Sequence, residues 1–112
     1  MRKDTKIFLE HILESISLIE EYTADKKKKE FLASQQLQDA VIKRIEIIGE
    51  AVKNIPTDIK EKYNDIPWKD IIGMRDILIH QYFGVDLDLT WKVLKDDIPE
   101  LKKRMNSLKA NL

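Results

Sequence analysis

At 112 residues, 43% hydrophobic and 36% charged, the chain is long enough for one small core and has the profile of a helical protein. Its 20 basic and 20 acidic residues cancel, which excludes a protein that holds nucleic acid by general positive charge; any RNA contact must be local. With no cysteine, a disulfide framework, a thiolate metal site and a Cys nucleophile are excluded too.

Residues 4 to 22 place Phe8, Ile12, Ile16 and Ile19 at steps of three or four, with Glu10, Glu14, Ser17 and Glu21 opposite, which predicts one amphipathic helix. His11 sits at the edge of that stripe without a second ligand one turn on, so it reads as structural. Ala24-Asp25-Lys26 is a polar connection. A long second helix is expected over residues 28 to 54, with an apolar arc from Leu37 through Val41, Ile45, Ile48 and Val52 to Ile55. Arg44 projects into that arc and needs a partner: an acid such as Asp76, or a phosphate held jointly with Arg75.

Pro56 ends the second helix, and residues 56 to 66 form a connector with about one helical turn at residues 58 to 63. A third helix over residues 67 to 80 starts at Asp65 or Ile66, with Pro67 in its first turn, and Gly84 is a natural stop. Asp86 and Asp88 offer caps for a last helix whose stripe, Trp91, Leu94, Ile98, Leu101, Met105 and Leu108, stays in register across Pro99. A kink is expected there. The basic clusters at Lys26 to Lys29 and Lys102 to Arg104 read either as solvated helix ends or as binding patches. No apolar run is long enough for a signal peptide or a membrane span, so a cytoplasmic protein is expected. The expected architecture is a single all-α domain over residues 1–112, an antiparallel bundle of four main helices with a kinked last helix.

Chemistry concentrates in residues 73 to 84. Arg75, Asp76, His80 and Tyr82 bring a cation, a carboxylate, an imidazole and a phenol together. At about 100° per residue, Arg75 falls inside the apolar arc of its helix and Asp76 with His80 on the polar remainder. Asp76 and His80 are four apart and can touch. Arg75 and His80 are five apart, roughly 140° around the axis, so they cannot grip one small group unless the helix unwinds near His80 or a second subunit completes the site.

The pattern Arg75, four residues, His80, one residue, Tyr82 resembles the R-x4-H-x-Y signature of the HEPN superfamily. Residues 73 to 76 (Gly-Met-Arg-Asp) and 80 to 84 (His-Gln-Tyr-Phe-Gly) are similar to its HepT branch, the DUF86 proteins. Ile48-Gly49-Glu50-Ala51, Pro67-Trp68 and Asp97-Ile98-Pro99-Glu100-Leu101 extend the similarity over nearly the whole chain. The resemblance implies a helical bundle and the toxin half of an MNT-HEPN toxin-antitoxin pair. It also implies an endoribonuclease with Arg75 and His80 catalytic, Asp76 in support, and a site completed by homodimerisation. Tyr82 is, by the same resemblance, the acceptor of AMP from a cognate nucleotidyltransferase antitoxin.

The residues suit metal-independent RNA cleavage: an imidazole to move the 2′-hydroxyl proton and a guanidinium for the phosphate charge. Asp76 could hold the imidazole tautomer. One histidine near the motif per protomer points to a pair of copies about a two-fold axis. No metal ligands cluster in the sequence, and no cofactor is expected. The competing expectation is a non-catalytic subunit whose cleft binds nucleotide or docks the nucleotidyltransferase.

Overall fold

The computed structural model describes the backbone of residues 3–80 and 86–112, and the side chains of residues 5–74 and 86–112. Its helices are α1 (Lys3–Thr23), α2 (Lys28–Ala33), α3 (Gln35–Lys53), α4 (Thr57–Lys62), α5 (Trp68–His80), α6 (Leu87–Lys92) and α7 (Ile98–Asn111), with a π-helical turn at Val93–Asp97 joining α6 to α7. Among the described residues there is no strand, and the all-helical bundle is the architecture that the resemblance implies. No described helix is long and apolar enough to cross a membrane.

The helical period of the apolar residues becomes one core. Leu9, Ile12, Ile16 and Ile19 of α1 meet Val41, Ile45, Ile48 and Val52 of α3, with the expected Phe8 only partly buried beside Leu9, and α7 closes the core with Ile98, Leu101, Met105 and Leu108. α3 is central, packing against α1, α2 and α5. His11 is exposed, in keeping with its position beside the stripe. Lys102 Nζ donates to both carboxylate oxygens of Glu20, at 3.0 and 3.1 Å, and so links α7 to α1 across the surface.

The expected second helix is broken at Ser34, whose backbone is extended (φ −120°, ψ 102°). Apolar periodicity alone does not reveal the break, but local hydrogen bonding accounts for it. Ser34 Oγ accepts the Leu37 N–H at 3.1 Å and caps α3. Gln38 Nε2 reaches back to the carbonyls of Leu32 and of Phe31, the latter also taking the Ser34 N–H at 3.4 Å. Ser34→Ala is therefore expected to cost about 1 kcal/mol, read as a lower urea midpoint at unchanged slope.

The last helix also differs from expectation in where its irregularity falls. The Ile98 N–H bonds the Val93 carbonyl, five residues back, so the wide turn precedes Pro99. Pro99 lacks an N–H, and its ring would strike the carbonyl of Lys95 in a regular helix; the π register opens that turn and keeps the stripe on the core. The start of α6 is as expected: Asp86 Oδ1 accepts the Leu89 N–H at 3.1 Å.

Candidate active site

The helix carrying the motif is fixed firmly at its start. Trp68 is buried, and its indole N–H donates to the Tyr63 carbonyl at 3.1 Å, tying the first turn of α5 to the end of α4. Pro67 supplies the first accepting carbonyl, for the Ile71 N–H, one or two positions later than the expected cap. Arg104 of α7 donates from Nη1 to the Asp65 carbonyl at 3.1 Å and lies 3.9 Å from its carboxylate. Its Nε is 3.3 Å from Glu100 Oε1 but too poorly aligned to count as a hydrogen bond. The sequence grouped Arg104 with Lys102 and Lys103 as a basic cluster; instead it is a half-buried clamp on the segment that leads into α5.

From Trp68 the backbone stays α-helical through His80. Arg75, Asp76 and His80 therefore occupy consecutive turns of one regular helix, with Asp76 and His80 on one side and Arg75 roughly 140° from His80. Unwinding before His80 is not part of this structure. The side chains of Arg75, Asp76 and His80 lie outside the described residues, as do Tyr82 and Gly84 altogether. The Asp76 pairing considered for Arg44 falls there as well. Arg44 itself is half-buried on α3, the helix against which α5 packs.

Gly73 opens the motif, and a Cβ built on it would meet nothing within 4 Å. Its backbone is ordinary helix, so packing among the described residues does not call for a glycine. Gly73→Ala should then raise stability by about 0.5–1 kcal/mol by restricting the unfolded chain. Should cleavage fall while the melting temperature rises, the space beside Gly73 is needed by RNA or by a second subunit.

A groove runs between α5 and the helices that follow. Two adjoining hollows, of about 220 and 340 Å³, share Asp70, Met74 and Asp97. Ile71 and Leu101 line one, and Leu89 and Val93 the other, so the floor is apolar. Its charged rim is mostly acidic: Asp70, Asp97 and Glu100 face Lys69 and Arg104, and Arg104 is already engaged by Glu100 and Asp65. Such a rim repels phosphate. Among the described residues no three His, Cys, Asp or Glu side chains stand close enough together to hold a metal ion.

A family described as Ribonuclease HepT-like matches residues 12–108. The chain is 63% identical over its full length to "Gamma-glutamylcyclotransferase and putative RNase MJ0434" of Methanocaldococcus jannaschii, and it spans only 50% of that protein. It is 49% identical, over 97% of its length and 99% of the other, to "Probable ribonuclease HepT" of Thermococcus cleftensis. "Putative RNase TTE0752" of Caldanaerobacter subterraneus is 41% identical, with 95% of each chain covered. No solved structure matches. The family match covers most of the bundle and the whole of α5, and with it the Arg75 and His80 pattern: the chain belongs to the ribonuclease HepT-like family.

Proposed function

We propose that this protein is a metal-independent endoribonuclease, working in the cytoplasm as the toxin of an MNT-HEPN pair. The observation that carries this reading is Arg75-x4-His80 on one uninterrupted helix in a chain of this family. His80 takes the proton from a 2′-hydroxyl, whose oxygen attacks the adjacent phosphorus. Arg75 offsets the charge that grows on the phosphoryl oxygens, and the 5′-oxygen leaves with a proton given by a general acid, the imidazolium of the partner's His80. The products are a 2′,3′-cyclic phosphate and a 5′-hydroxyl. Asp76, one turn before His80, orients the imidazole.

The regular helix supports a site shared between two copies. With Arg75 and His80 well apart around the axis, one protomer's pair does not converge on one phosphate, whereas a two-fold brings a second pair opposite. Sedimentation at micromolar concentration should find a homodimer; a persistent monomer that still cleaves RNA would remove the shared site. The decisive assay is cleavage of labelled RNA in chelator with identification of the new ends. Activity lost in chelator and restored by magnesium would overturn the mechanism.

Control is proposed to act at Tyr82. A cognate nucleotidyltransferase would join the phenolic oxygen to the α-phosphorus of ATP with release of pyrophosphate, leaving bulk and negative charge beside the phosphate site. Co-expression should add mass in units of AMP at Tyr82 and silence cleavage. Tyr82→Phe should cleave RNA and escape silencing; if the partner still silences it, control is by masking. The acidic groove beside α5 favours a second reading, a non-catalytic subunit that docks the nucleotidyltransferase. A dimer inert on every RNA, yet stably bound to that partner, is its signature.

A further inference from the structure

With 20 basic and 20 acidic residues, the chain can hold a polyanion only where cations are left over locally. Two basic groups of α7 are already engaged. Arg104 clamps Asp65 and Glu100, Lys102 holds Glu20, and the groove along the first half of α5 has an acidic rim. The turn from α1 to α2 is different. Asp25 adopts a left-handed backbone there (φ 60°), after which Lys26, Lys27, Lys28 and Lys29 follow one another, all exposed. Lys26 lies 3.8 Å from Glu30, and Lys28 Nζ is 2.7 Å from Asp88 Oδ1. Lys27 and Lys29 make no ion pair among the described residues.

The Lys28 to Asp88 contact fixes where this turn sits. Asp88 is in the first turn of α6, capped by Asp86, and only residues 81–85 separate that cap from His80. Even fully extended, that connection keeps His80 and Asp86 within about 22 Å. The lysine turn is thus tied to the start of α6, within reach of an RNA strand that passes the end of α5, and the acidic groove begins next to it at Leu89. α2 packs against α6 as well, with Phe31 and Trp91 rings 5.5 Å apart, so the turn is braced at two points.

We propose that this turn is a track for the RNA backbone, with Lys27 and Lys29 each contacting a phosphate of a single strand whose scissile bond lies at the end of α5. The proposal rests on the ribonuclease reading. Lys28 is a positioning residue, since its ammonium is committed to Asp88, and Lys27 and Lys29 supply the free charge. Contacts of this kind carry no sequence preference and are sensitive to salt.

The test uses the full chain carrying His80→Ala, so that RNA is bound without being cut. A fluorescein-labelled single-stranded RNA of mixed sequence is titrated by anisotropy from 50 to 200 mM potassium chloride. Adding Lys27→Ala and Lys29→Ala should lower the slope of log affinity against log salt by about 1.4, two single-strand contacts. The same pair in the otherwise unaltered enzyme should raise KM several-fold with kcat retained. Lys103→Ala with Lys109→Ala, exposed on α7, should leave slope and KM unchanged. If the enzyme binds and cleaves RNA but the Lys27 and Lys29 changes leave both readouts untouched, the track is wrong and the ribonuclease reading stands. If the unaltered chain neither binds nor cleaves any RNA, the ribonuclease reading fails and the track with it.

Discussion

His80→Ala is expected to lower RNA cleavage by about 10²- to 10⁴-fold, the range over which a positioned general acid or base acts. Arg75→Ala should lose roughly 10²- to 10³-fold through the phosphoryl charge it no longer offsets. Neither change should alter the helical circular dichroism appreciably, because α5 is held at its other end by Trp68 on the Tyr63 carbonyl and by Arg104 on Asp65. The two losses need not add, since groups serving one transition state act as a unit. Mixing the two inactive variants gives a sharper result. If each site takes Arg75 from one subunit and His80 from the other, a heterodimer of the single variants keeps one intact pair, and activity returns towards half that of the unaltered dimer. If both come from the same subunit, or if one central site needs both histidines, mixing restores nothing. Either way, a His80→Ala protein that cleaves as fast as the unaltered one would end the assignment of His80.

Asp76 separates the roles within this site. A carboxylate that only orients the imidazole should, when replaced by Asn, lower kcat and move the pH profile of cleavage while KM stays near its starting value. A carboxylate that instead neutralises Arg44 should show itself as lost stability, since removing one member of a half-buried ion pair strands the other. Arg44→Met distinguishes the two: it would relieve the stability loss of Asp76→Asn in the second case and leave the pH profile alone in the first. Both measurements can be made on one set of four proteins.

The core was legible because burial follows the apolar period. Ile12, Ile16 and Ile19 in α1, and Val41, Ile45, Ile48 and Val52 in α3, are buried as their spacing predicts. The cap at Asp86 was legible for the same local reason, a carboxylate ahead of an apolar turn. The break at Ser34 was not, because a serine between helix-forming segments carries little information until Gln38 is seen to satisfy the Phe31 and Leu32 carbonyls. Pro99 announced an irregular helix but not that the wide turn would lie on its N-terminal side. Arg104 and Lys28 act through partners far away in sequence, Asp65 and Asp88, and no periodicity reports a contact of that kind. For the site, the motif residues were legible as chemical types. The sequence also placed Arg75 and His80 too far around one helix to converge, and the helix does remain regular through His80.

Phe31→Ala should cause the largest loss of stability of any single change to α2. Phe31 is fully buried, it is the only buried residue of a six-residue helix, and its ring packs on Trp91 with an interplanar angle of 36°. A helix so short has no stability of its own, so its shape depends on this one anchor. Truncating a buried phenylalanine costs about 3–5 kcal/mol, against a total of roughly 5–15 kcal/mol for a typical domain. The corresponding fall in melting temperature is on the order of 10–20 °C, compared at equal protein concentration because dimer formation would add to it. Phe31→Leu keeps most of the apolar volume and should recover much of the loss. The consequence for function follows from where α2 sits. It carries Lys28 and Lys29 and leans on α6, so loosening it should speed amide exchange at residues 27 to 33 before the α1 and α3 core opens, and should weaken RNA binding at temperatures where the bundle is still folded. A Phe31→Ala protein that loses less than about 1 kcal/mol would mean that α2 is not anchored through this ring, and the bracing of the lysine turn would then have to come from the Lys28 to Asp88 contact alone.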